Sequence, residues 1–221
     1  MQKPTIIITI FATRLFTNTT RIMNFDLRKI MPLLILGLVA VLLLSMCGSY
    51  NTAVGLDEGV KKAWSQVENQ YQRRADLIPN LVNTVQGYAN FEKETITAVI
   101  EARSKATSVT IDPSNMTEES LKNFDQAQQG LGGALSRLMV VSERYPELKA
   151  NANFMDLQKQ LEGTENRVAL ERKNFNESVN NYNASIRRFP MALFAGMFGF
   201  SPKPYFQSQA GSEKAPTVNF K

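Results

Sequence analysis

The sequence predicts an all-α protein: an antiparallel up-down four-helix bundle of long helices behind an N-terminal transmembrane helix. Three observations predict it. Residues 30–48 form a run of 19 without a charge. From Asn51 to Phe189 apolar residues recur three and four apart, the period of one helix face. The pattern breaks at clusters of Gly, Pro, Asn, Ser and Thr, and short connections set successive long helices antiparallel.

The composition supports a core and removes much chemistry. The chain has 221 residues, enough for one domain with accessories, and is 43% hydrophobic with 9 Pro and 12 Gly. It has no histidine, so the commonest general base and transition-metal ligand is absent. The single cysteine, Cys47, has no internal partner for a disulfide. The formal charge of +5 is unevenly spread: residues 50–189 hold 17 basic and 18 acidic groups, and the excess lies in residues 1–29 and after 200. A nearly neutral bundle lacks the concentrated basic face that nucleic acid requires. No cofactor is expected.

Residues 1–29 read as a cytoplasmic segment. The apolar stretch Thr5–Phe11 is too short to span a bilayer, and Met23 or Met31 makes a more natural start. Residues 30–48 have the length of a membrane-crossing helix. The favoured reading is an uncleaved single-pass anchor. The alternative is a lipoprotein signal, Leu44-Ser45-Met46-Cys47, in which Met46 is larger than the residue such a signal places before its cysteine. A cleaved signal peptide ranks third, since small residues at a cleavage site are sparse. Arg28 and Lys29 precede the run, whereas Lys61 and Lys62 come late and follow Asp57 and Glu58. The positive-inside bias puts the N-terminus in the cytoplasm and the bundle, residues 49–189, outside it.

Helix one runs from Asn51 to about Arg74, with Leu56, Val60, Trp64, Val67 and Tyr71 on one face. The polar knot Arg73, Arg74, Asp76 and then Pro79 reads as a tight corner, because proline suits a first turn and not a helix interior. Helix two follows from about Leu77 to Ala106 through Ile78, Leu81, Val85, Tyr88, Ile96, Val99 and Ile100. Gly87 and Glu92 predict a kink or short break within it. Residues 107–116 are a loop by composition, and Thr117 caps helix three, with Glu118 and Glu119 placed well against the helix dipole. Its stripe is Leu121, Phe124, Gln128, Leu131, Leu135, Leu138, Ser142 and Tyr145, a coiled-coil-like heptad with two polar exceptions. Gly130, Gly132 and Gly133 predict close approach of a neighbouring helix. Pro146 ends the element. Asn151 or Asn153 caps helix four, whose stripe runs Phe154, Leu157, Leu161, Thr164, Val168, Arg172, Phe175, Val179, Tyr182, Ile186 and Phe189. About 35 residues make it roughly 50 Å long.

Residues 190–200 are a second apolar block, expected to fold back as a cap over the bundle's end. The sharper reading is a membrane-interface or partner site, with Met191, Phe194, Met197 and Phe198 sharing one helical face as candidate docking residues. Residues 201–221 are rich in Pro, Ser, Gly and Lys and are expected to be disordered.

Two residue sets bear on function. Arg73, Arg74, Asp76, Asn80, Glu165, Asn166 and Arg167 are the candidate structural polar cluster, an ion-pair network at one end of the bundle, since buried charge is costly unless paired. A ligand-binding role for it is the minority reading. A di-metal carboxylate site of the Glu-x-x-His type cannot form without histidine. No nucleophile–base pair stands out, so the chain is expected not to be an enzyme. The expected function is a membrane-tethered scaffold or protein-interaction module at the bacterial cell envelope, partnered by the membrane through its N-terminal helix and by an unidentified protein. A ligand- or metal-binding bundle, or an uncharacterised enzyme, is the alternative.

Several motifs resemble the LemA family of bacterial membrane proteins: Ala63-Trp64-Ser65-Gln66-Val67-Glu68, Gln72-Arg73-Arg74-Ala75-Asp76-Leu77-Ile78-Pro79-Asn80-Leu81-Val82 and Gly87-Tyr88. Further on come Tyr145-Pro146-Glu147-Leu148-Lys149-Ala150-Asn151, Glu162-Gly163-Thr164-Glu165-Asn166-Arg167, Tyr182-Asn183 and Phe189-Pro190. The resemblance runs from Tyr50 to about Phe206. It implies one N-terminal membrane span and an antiparallel helical bundle, with no established enzymatic activity and no active-site residues. Cys47 departs from the apolar lead usual before the Tyr-Asn pair.

Overall fold

The computed structural model describes residues 27–87 and 92–207. Among these the regular structure is helical, with no strand. The elements are α1 (Leu27–Gln86), α2 (Lys93–Ser108), α3 (Glu118–Ser142), the short α4 (Pro146–Lys149) and α5 (Ala152–Ile186), then a 3-10 turn at Met191–Leu193. The chain divides into two compact units, Met1–Cys47 and Gly48–Lys221.

In the first unit, every described side chain from residue 31 to residue 45 is exposed. This stretch of α1 is long and apolar enough to cross a membrane. Its surface is made of the residues that a hydrocarbon solvent accepts.

The second unit holds two apolar clusters. One gathers Val60, Trp64, Val67 and Tyr71 with Phe124, Phe175, Val179 and Tyr182. The other gathers Ile78, Leu81 and Val85 with Val99, Leu131, Leu138, Phe154 and Leu161. Along α1 and α3 the first cluster precedes the second; along α5 the order reverses. Trp64, 1% exposed, sits among the rings of Phe124, Phe175 and Phe206 at centroid distances of 5.2, 5.7 and 6.0 Å. Each such pair adds about 0.5–1.5 kcal/mol beyond the area it buries.

The expected corner at Arg73 to Pro79 does not exist: α1 runs through it without a break. The apolar face is continuous because Ala75 and Val82 join Tyr71, Ile78 and Val85 at helical spacing, all buried. A proline at 79 removes the N–H that would bond the carbonyl four residues back, at Ala75. That carbonyl is met from another helix instead: Arg103 Nε of α2 donates to it at 2.8 Å. A side chain thus replaces the missing backbone donor, and the helix carries on. It ends at Gln86, and α2 begins at Lys93, so the interruption falls where Gly87 and Glu92 predict it. Tyr88 lies outside the described residues.

Elsewhere the local signals hold. Thr117 accepts from Ser120 N–H at 3.1 Å and its own N–H donates to Ser120 Oγ at 3.0 Å, a reciprocal cap. Asn151 Oδ1 accepts from the N–H groups of Asn153 and Phe154 and starts α5. The stripes of α3 and α5 are buried nearly residue for residue, with Phe189 an exception at 73% exposed.

Three expectations about packing need correction. No helix closes on Gly130, Gly132 and Gly133; an added Cβ at any of them meets nothing within 4 Å. Gly132 and Gly133 instead border an open groove. Met191, Phe194, Met197 and Phe198 do not share a helical face, because only the single 3-10 turn is helical there. Met191 is core at 4% exposed, Phe194 is half-buried, and Met197 and Phe198 are exposed.

The third correction concerns the tail, whose residues 201–207 are an ordered strap along α5. Asn183 and Lys203 exchange two hydrogen bonds, Nδ2 to the carbonyl at 2.9 Å and N–H to Oδ1 at 2.8 Å. Asn176 and Phe206 do the same at 3.0 and 2.9 Å. The spacing explains the match: two helical turns between the asparagines advance about 10.5 Å, and three extended residues advance about 10 Å. Phe206, 6% exposed, then completes the box around Trp64. Residues 208–221 lie outside the described residues.

Candidate functional site

Of the predicted polar cluster, the structure brings together Arg74 and Glu165. Arg74 is 3% exposed, held on the buried face of α1 by the same spacing that buries Tyr71 and Ile78. Its Nη1 donates to Glu165 Oε2 of α5 at 2.8 Å. Its Nη2 donates to Gln128 Oε1 of α3 at 2.7 Å and to the Gln128 carbonyl at 3.2 Å. The guanidinium lies over the Tyr71 ring, 5.1 Å from its centroid. Arg74 Nε is buried and makes no hydrogen bond. Arg73, Asp76, Asn80, Asn166 and Arg167 are exposed on the outside of their helices, where Asp76 accepts only a neighbourly hydrogen bond from Gln72 at 2.8 Å.

The residues that complete the site are Gln128, Asp125 and Arg172. Gln128, 6% exposed, also donates through Nε2 to the Ala106 carbonyl at 3.1 Å. One amide thus meets Arg74 Nη2 and the last turn of α2. Arg172 Nη1 donates to Asp125 Oδ1 at 2.8 Å and to the Tyr71 hydroxyl at 3.4 Å, and its guanidinium stacks 4.3 Å over the Phe206 ring. Burial pushes the Tyr71 hydroxyl above its ordinary pKa, with the two arginines pulling the other way. The signal for these residues is present in the sequence. Gln128 and Arg172 occupy core positions of their stripes, where a polar group must find partners.

These side chains line a polar cleft of about 440 Å³, with Arg74, Glu165, Asp125 and Arg172 on its walls and Gly132 and Gly133 at its edge. It runs into a second, more apolar cleft of about 550 Å³ between α3 and α5, lined by Leu135, Met139, Val140 and Leu161. Arg74, Gly132 and Glu165 border both. The open glycine face makes the groove. Val140 stands in it 71% exposed. The lining charges pair off as two arginines with two carboxylates, so the polar end is a dipolar surface rather than an anion trap. Among the described residues no three His, Cys, Asp or Glu side chains gather as a metal site would need.

A second polar feature lies around Lys203 of the strap. Its Nζ pairs with Asp57 at 2.9 Å and donates to the Pro113 carbonyl at 2.9 Å. Burial raises the Asp57 pKa, but hydrogen bonds from Lys203 and Lys61 outweigh it, and the carboxyl titrates below its ordinary value. Burial, with Asp57 close by, pushes the Tyr182 hydroxyl up to about 12. These contacts tie the strap to α1 and to the loop before α3.

Comparison with known proteins adds three findings. Residues 63–220 match the LemA family. The chain is 27% identical over 181 residues to a protein named magnetosome protein MamQ 2 from Paramagnetospirillum magneticum, covering 74% of this chain and 66% of that protein. It is 24% identical over 130 residues to protein LemA of Metamycoplasma hominis, covering 59% of this chain and 56% of that one. The matches thus span just under two thirds or less of the length of these relatives.

Proposed function

Because the chain belongs to the LemA family, we propose that it is a membrane-anchored helical bundle that works by binding a protein partner and not by catalysing a reaction. The uncharged, fully exposed stretch of α1 supports the tether. In this reading it remains uncleaved, with the N-terminus in the cytoplasm and the bundle outside it, and lipidation at Cys47 is the competing attachment. The reversed order of the two core clusters along α5 supports an up-down-up-down arrangement of α1, α2, α3 and α5.

The groove between α3 and α5 carries the binding half of the proposal. Its apolar end suits the side chains of an amphipathic segment, and its dipolar end offers two guanidinium–carboxylate pairs for polar groups on the same segment. The balanced charge disfavours a lone small anion or cation as its occupant. Relatives named for the magnetosome are named for a structure and not for a reaction, which fits a scaffold.

The test fills the groove. Gly132 has open space where a Cβ would stand and borders both clefts, so Gly132→Phe sets an aromatic ring in the groove. Crosslinking capture from native membranes should recover a defined set of proteins with the wild-type chain and lose it with Gly132→Phe, while the helical circular dichroism stays the same. Recovery of the same set by a folded Gly132→Phe chain would refute the groove as the binding surface.

A further inference from the structure

The apolar segment after α5 sorts its side chains into two sets. Met191, Ala195 and Phe200 pack on the first core cluster. Phe189, Leu193, Met197 and Phe198 are 73%, 68%, 82% and 44% exposed. Four large apolar groups within ten residues, all facing outward, add nothing to the core and mark a surface made to be covered.

Their place in the chain indicates what covers them. Phe198 and Phe200 hold the Tyr50 ring edge-on, at centroid distances of 5.3 and 5.7 Å. Tyr50 is only two residues beyond Gly48, where the apolar run gives way to the polar Ser49, Asn51 and Thr52, and two residues reach at most about 7 Å. Wherever that run leaves the bilayer, Tyr50 and the rings clasping it are therefore within reach of the headgroup layer. Tyrosine favours this layer, having an apolar ring and a polar tip. Charge agrees: from Arg187 to Pro202 the chain carries two arginines, both exposed, and no acidic residue. Basic groups beside an outward apolar set form the pattern of segments that lie in a membrane interface.

We infer that Phe189, Leu193, Met197 and Phe198 seat this end of the bundle on the bilayer that residues 30–48 cross, with Arg187 and Arg188 at its headgroups. The inference rests on the anchor reading. It makes this block a lipid contact and leaves the groove between α3 and α5 as the surface for protein.

The test uses the full chain in vesicles of phosphatidylcholine and phosphatidylglycerol. Cys47 is replaced (Cys47→Ser), and single cysteines are placed in turn by Met197→Cys, Leu42→Cys and Lys159→Cys, each labelled with an environment-sensitive fluorophore. Residue 42 lies in the uncharged run, and Lys159 is exposed on α5, 27 residues before its end, about 40 Å away along the helix. Lipids carrying a nitroxide on the acyl chain then quench whatever they touch. The expected result is quenching at 197 several-fold stronger than at 159, together with quenching at 42. Quenching at 42 with 197 no better than 159 overturns the inference and leaves the anchor standing. Absence of quenching at 42 overturns the anchor reading and the inference with it. A blue-shifted probe at 197 that lipid nitroxides do not quench means that protein covers the block, and also overturns the inference.

Discussion

Removing Arg103 should uncouple a proline from the helix that tolerates it. Pro79 leaves the Ala75 carbonyl without its backbone donor, and Arg103 Nε fills the vacancy at 2.8 Å. Ala75 is 3% exposed, so water is a poor substitute. A hydrogen bond from a charged donor contributes about 1.5–3 kcal/mol, and an orphaned buried acceptor costs at least as much. Arg103→Ala should therefore destabilise the 48–221 unit by about 2 kcal/mol. In a Pro79→Ala background residue 79 regains an N–H aimed at the same carbonyl. There Arg103→Ala should cost only about 0–1 kcal/mol, the scale of a surface contact. The coupling of about 1–2 kcal/mol is well above the scatter of about 0.3–0.5 kcal/mol for independent sites. Urea unfolding followed by far-ultraviolet circular dichroism resolves it, since slopes of about 1–3 kcal/mol per molar turn the difference into a midpoint shift near 1 M. Equal costs of Arg103→Ala in the two backgrounds would refute the substitution of a side chain for the missing amide.

Three further outcomes follow from the same contacts. Gly132→Ala should stabilise α3 by about 1 kcal/mol, because the new methyl meets nothing within 4 Å; a lower urea midpoint would mean that a neighbour does pack there. Asn176→Ala removes both bonds that hold Phe206 and should cost about 1–3 kcal/mol and open the Trp64 environment to a fluorescence quencher, whereas unchanged quenching would show the strap stays down without it. Asp57 titrates below its ordinary value, so its contribution is complete above the unfolded pKa of about 4 and is lost as pH falls through the folded value. The stability gap between wild type and Asp57→Asn should accordingly close on acidification below about pH 4, and a gap that is constant with pH would remove the ion pair from the account.

The sequence carried the helices further than it carried the site. Stripes of Leu, Val and Phe at three- and four-residue spacing report burial directly, and Thr117 and Asn151 announce helix starts through short-range hydrogen bonding. Pro79 misled because its consequence depends on Arg103, 24 residues on, and no local rule sees that far. Gly130, Gly132 and Gly133 misled for the opposite reason: small residues permit a close neighbour but do not summon one. Arg74 was legible as a charge needing a partner, and Glu165 as that partner. Its neighbours Asp76 and Asn80 point away from it because a helix shows only one of every few residues to any given direction. The strap over α5 was hidden because its asparagines hold backbone, which has no sequence signature, and because Lys203 and Phe206 sit among residues of loop-like composition.

The proposal that the bundle binds protein through the α3–α5 groove is tested most directly by a photo-reactive phenylalanine analogue at two exposed apolar positions. One is Val140 in the groove, and the other is Leu170 on α5, which is 53% exposed and outside the groove lining. After irradiation of native membranes the account predicts a discrete adduct with another protein from position 140, none from position 170, and loss of the adduct when Gly132→Phe fills the groove. Adducts of equal yield from both positions, or an adduct from 140 that survives Gly132→Phe, would contradict it.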